Sequence, residues 1–140
     1  MTGLWKTWMT VWCWAVVVFG LALAGAGLPA TDGLTRVLFA ILGDPASFHL
    51  DNQARFTIAL MGAVTLGWAL TMATAMRAAI ALGDAGRPVW VGLTGSLLVW
   101  FVIDSSLSIA TGFPLNAASN TVILVTYLLP LWRSGVLRRV

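Results

Sequence analysis

The stretch Asp104-Ser105-Ser106-Leu107-Ser108 sets a carboxylate and three hydroxyls inside an otherwise apolar run, Val89–Ala110. Asp104 is the one acidic side chain inside any of the chain's apolar runs. A carboxylate at such a place costs a few kcal/mol on insertion scales and marks a pairing or functional site. On a helix Trp100, Asp104, Ser108 and Thr111 share a face, with Asp104 about six residues, or ~9 Å, from the helix end. Three kinds of chemistry follow. Asp104 could pair with Arg55 and hold two helices in register. It could form the polar floor of an outward-opening pocket, with His49, Asp51, Asn116 and Asn120 at the rim and a lipid-like or quinone-like molecule as ligand. It could also be a protonatable carboxylate that couples a small transporter to protons. Asp51 and Arg55 stand at i, i+4, so Arg55 could instead pair locally.

Other chemistry is scarce. Cys13 is the only cysteine and His49 the only histidine. One thiol forms no intramolecular disulfide and no CxxC redox pair. A single histidine cannot supply two haem ligands, and it lies in a connection. No metal-ligand cluster, phosphate loop or Ser-His-Asp set can be assembled, so neither a metal nor another cofactor beyond a bound lipid or quinone is expected. The expectation leans away from an enzyme, and no catalytic residue is assigned.

The elements that must position these groups are helices in lipid. Charged residues make up 9% of the 140 and apolar ones 59%, with mean hydropathy +0.91. Soluble domains carry about 25% charged residues. The apolar runs, Trp8–Leu28, Phe56–Leu82, Val89–Ala110 and Ala117–Trp132, reach or approach the ~20 residues that span a bilayer. Spans are expected over 6–28, 53–82, 88–111 and 117–133, within one transmembrane domain covering 1–140. Lys6 followed by an apolar run and Ala-Gly-Ala imitates a signal peptide, yet a run of about 20 exceeds the usual 7–15, so it reads as the first span. Lys6, Arg77, Arg87, Arg133, Arg138 and Arg139 flank one set of span ends, and Arg36 and Arg55 the other. That asymmetry predicts cytoplasmic termini. The formal charge of +3 is thereby an orienting charge, and nucleic-acid binding is not expected. Trp5, Trp8, Trp90 and Trp132 fall where an aromatic belt belongs.

In the long outer connection, Leu34, Val37, Leu38, Ile41 and Leu42 keep helical spacing. They predict a short interfacial helix over 33–42, capped by Asp32 and ended by Gly43. Asp44-Pro45 predicts another short turn running to Leu50. In the second span Ala59, Ala63, Gly67, Thr71, Ala75, Ala79 and Gly83 recur every four residues, a small-residue stripe for close helix packing. Pro130 removes a helical hydrogen bond near the end of the fourth span, and Thr126 could compensate for it.

The four-helix outline, together with Asp51-Asn52-Gln53-Ala54-Arg55 leading into Met61-Gly62, resembles the DoxX-like group of small bacterial inner-membrane proteins. The cysteines of its redox members are missing here. The resemblance implies a bacterial inner membrane and supplies no activity. The expectation is therefore an all-α, integral membrane four-helix transmembrane bundle with a short outer-side interfacial helix. Its expected role is a non-catalytic subunit or interaction protein among membrane lipids, packing against other membrane-protein subunits or against itself. A pocket around Asp104 is the alternative and a proton-coupled transporter the third reading.

Overall fold

Apolar residues at helical spacing, with few side chains able to serve the backbone, leave intrahelical hydrogen bonds as the way to satisfy N–H and C=O groups. The computed structural model describes residues 1–43 and 48–138, and among them there is no strand. The helices are α1 (Gly3–Ala24), α2 (Gly33–Leu42), α3 (Asn52–Leu82), α4 (Arg87–Ala110) and α5 (Pro114–Ser134). Short 3-10 turns, Gly25–Gly27 and Gly83–Gly86, follow α1 and α3. Three continuous helical stretches, 3–27, 52–110 and 114–134, are long and apolar enough to cross a membrane. The second contains both α3 and α4, which have 31 and 24 residues, each above the ~20 that a span needs. Residues 48–50 have no regular structure, and the rest of the turn expected from Asp44-Pro45 lies outside the described residues.

The chain forms two compact units, Trp14–Leu70 and Met1–Cys13 with Thr71–Val140. In the first, the end of α1 meets the start of α3 at glycines. A Cβ on Gly62 would lie 2.7 Å from Gly20 O, and one on Gly20 would lie 2.9 Å from Leu66 N. Only glycine allows backbones this close. Leu23, Ala26 and Ile58 are buried together, and Leu38, Phe39, Phe48 and Leu50 pack on them. Phe39 and Phe48 stack with centroids 4.4 Å apart. The Thr35 hydroxyl donates to Ala22 O at 2.6 Å, so α2 is tied to a carbonyl near the end of α1. Thr35 is buried while Leu34, Val37 and Ile41 are more than half exposed. The expected apolar stripe is thus divided between an inner and an outer face.

In the second unit the start of α1 packs on α5. Pro130 has no N–H for the Thr126 carbonyl, and Trp8 Nε1 donates to that oxygen at 2.9 Å. The Thr126 hydroxyl bonds Val122 O at 2.7 Å instead. The missing bond is therefore compensated from another helix, not locally as expected. Trp12 Nε1 donates to Ile123 O at 3.1 Å and its ring meets Tyr127 at 5.5 Å. Trp90, expected in a belt, is 1% exposed and belongs to the core.

The small-residue stripe is not the buried face of α3. Ala63, Gly67, Thr71 and Gly83 are exposed, Ala59 and Ala75 half-buried, and only Ala79 is buried. The buried positions are Ile58, Gly62, Ala69, Met72, Met76 and Ala79. These advance by alternating threes and fours, near 3.5 residues per turn, and stay on one side of the helix. Steps of four overshoot each 3.6-residue turn by about 40° and carry the stripe outward.

Candidate functional site

The link between α4 and α5 is short because its residues accept a sharp reversal. Gly112 has φ +86°, a conformation open to glycine at little steric cost. Phe113 N–H donates to Ser108 O at 2.7 Å, and Pro114 enters α5 within its first turn, where a missing N–H is harmless. This reversal lays Asn116 and Asn120, one turn apart on α5, beside Asp104 and Ser108, one turn apart on α4.

Asp104 Oδ1 gathers the cluster. Asn116 Nδ2 donates to it at 2.9 Å, Asn120 Nδ2 at 3.0 Å, and Ser108 Oγ lies at 3.1 Å. Ser108 Oγ is also 2.7 Å from the Asp104 carbonyl and accepts from Asn116 Nδ2 at 2.8 Å. Asn120 Nδ2 reaches Ser105 Oγ at 3.3 Å. Asn120 is 3% exposed, Ser108 8% and Ser105 9%, while Asp104 and Asn116 are half-buried. Asn116 and Asn120 were expected at a pocket rim. They bind the carboxylate directly, because their i, i+4 spacing matches that of Asp104 and Ser108. Trp100 is half-buried one turn before Asp104.

Arg55 was the expected charge partner of Asp104. It is held in the Trp14–Leu70 unit, where Nη2 binds Asp32 Oδ2 at 2.8 Å and Nη1 donates to Ala26 O at 3.0 Å. Asp32 also takes Arg36 through two hydrogen bonds of 3.0 Å. Its carboxyl is held below the ordinary carboxylate range, first by the hydrogen bond from Arg36 and then by that from Arg55. The Asp32 side chain accordingly makes no cap hydrogen bond to α2. Asp51 does not pair locally with Arg55. Its Oδ1 accepts from Ala54 N–H at 2.8 Å and caps α3. His49 is exposed between the half-buried Phe48 and Leu50. Sequence reasoning missed Asp32 as an ion-pair centre and Ser105 as a member of the Asp104 cluster. The i, i+4 spacing of Asp32 and Arg36 was the available signal for the first.

Cys13 is buried with its Sγ 3.5 Å from Met76 Sδ, a contact of two soft side chains in the core. Among the described residues no three His, Cys, Asp or Glu side chains are grouped to hold a metal. The Asp104 cluster contains a carboxylate, amides and hydroxyls without a neighbouring imidazole or amine. It can bind a cation or donor and can tie two helices together, but it has no paired base to activate a nucleophile. No known family, curated protein or solved structure matches the chain.

Proposed function

We propose that this protein is a multi-pass membrane protein, with both termini cytoplasmic, whose role is to pack against other transmembrane helices. The observation that carries this reading is the exposure of Ala63, Gly67 and Thr71 in the middle of α3. A Cβ on Gly67 would meet no heavy atom within 4 Å. Small residues at four-residue spacing and exposed to the surroundings offer close backbone approach to a further helix. The exposed Leu34, Val37 and Ile41 of α2 suit a helix lying at the outer interface. The DoxX-like resemblance adds a bacterial inner membrane to the proposal. Native mass spectrometry after mild detergent extraction tests it. The wild-type chain should emerge in a complex with a second copy or another membrane protein. Gly67→Leu should emerge as the lone 14.9 kDa chain with an unchanged melting temperature. A wild-type monomer, or a Gly67→Leu complex like that of the parent, overturns the reading.

A further inference from the structure

Asp104 has an unusual balance of partners. Its two amide donors, Asn116 and Asn120, converge on Oδ1, with the Ser108 hydroxyl 3.1 Å from the same oxygen and 2.7 Å from the Asp104 carbonyl, and each of these groups is neutral. Among the described residues the ion pairs are those of Asp32 with Arg36 and Arg55, so Asp104 has no basic side chain at ion-pair distance. The residue is half-buried. On one flank Ser105 and Ser108 are buried, and on the other Ile103 and Leu107 are 56% and 59% exposed. Amide and hydroxyl donors orient a carboxylate and share its charge, but they do not neutralise it. At ~9 Å from the end of α4, lipid supplies no counter-charge, and ionisable groups at such depth pair with one another.

We propose that Asp104 is an assembly site that receives the ammonium group of a lysine from a partner transmembrane helix. This deepens the packing reading above by naming the chemistry of the partner. An ammonium fits better than a guanidinium because it is a compact point donor. The planar fork of arginine is best matched when both carboxylate oxygens are available to it, and Oδ1 already accepts from two amides. Asn116 and Asn120 act as positioning residues: their hydrogen bonds to Oδ1 fix the carboxylate and leave its second oxygen to the partner. Their own packing against α4 keeps that orientation before the partner arrives, which lowers the ordering cost of association.

The probe is a synthetic polyleucine transmembrane helix carrying one lysine about six residues from its outer end. An otherwise identical helix carries leucine there. The full chain, dye-labelled, is reconstituted with each helix in phosphatidylcholine vesicles at neutral pH, and association is read by energy transfer. The lysine helix should associate about tenfold more tightly than the leucine helix, as expected for ~1–2 kcal/mol of interhelical polar contact in lipid. Asp104→Asn should remove that advantage, and Asn116→Ala should reduce it while leaving Asp104 in place. Equal association of the two helices with the wild-type chain overturns the proposal whether or not the variants fold. So does a lysine advantage that survives in a folded Asp104→Asn. If the lysine helix gains nothing while Gly67→Leu still abolishes the native complex, packing stands and the lysine partner falls.

Discussion

At Asp32 one carboxylate serves two guanidinium groups and thereby fastens α2, the 3-10 turn after α1 and the start of α3. The positive neighbours stabilise its charged form, so its folded pKa lies below the unfolded value near ~3.9. A depressed pKa contributes stability that is present above the unfolded value and is lost as pH falls through the folded one. Thermal melts in detergent should therefore hold steady from pH 7 to about 5 and fall below about pH 4. Asp32→Asn should start from a lower melting temperature and lack that part of the acid decline. Parallel acid slopes for the parent and the variant would show that the pair is not the titrating element. Asp104 was legible as the chain's outstanding residue because its cost in lipid depends on position alone. Its partners were not, because a helix-capping position and an ion-pair position look alike in sequence. Asp32 could be read as the cap of α2, which left Arg55 looking available to Asp104.

Among the elements, α1 serves two carbonyls of α5, those of Ile123 and Thr126. Pro130 leaves the Thr126 oxygen without its helical donor, and the Trp8 indole supplies one at 2.9 Å. Trp8→Phe keeps the aromatic bulk and removes the donor, so it should cost about 0.5–1.5 kcal/mol, the net contribution of a typical hydrogen bond. Pro130→Ala restores the backbone N–H and should be nearly neutral. The double variant should recover most of the loss, and chemical denaturation of the four proteins measures the coupling. Strictly additive effects would mean that the indole bond carries no stability. The glycines make a second test within α3. Gly62→Leu should disrupt the crossing with α1, where a Cβ already meets Gly20 O at 2.7 Å, whereas Gly67→Leu should leave the fold intact. The four-residue stripe was visible in sequence, but composition does not reveal which side of a helix faces its own chain. The spacing of threes and fours through Gly62, Ala69, Met72 and Met76 held that information, obscured by apolar residues on every face of a helix made for lipid.

For the whole molecule the apolar runs were sufficient to place the long helices, which are long and apolar enough to cross a membrane. The proposed orientation rests on a different force, the retention of Lys and Arg on the cytoplasmic side. Lys6, Arg77, Arg87, Arg133, Arg138 and Arg139 stand against Arg36 and Arg55. Both minority arginines are bound to Asp32. Acidic residues contribute little to the orienting bias, so substituting Asp32 by Asn should act on the fold and leave the asymmetry unchanged. Reporter fusions after Val140 and within residues 83–88 should read cytoplasmic, and one between Pro29 and Asp51 should read external. In an Asp32→Asn background the same readings should be obtained, because no Lys or Arg has changed. An external reading at Val140 in the parent would reverse the topology. It would also put Asp104 in the cytoplasmic half of its span, so a partner lysine would have to approach from that side.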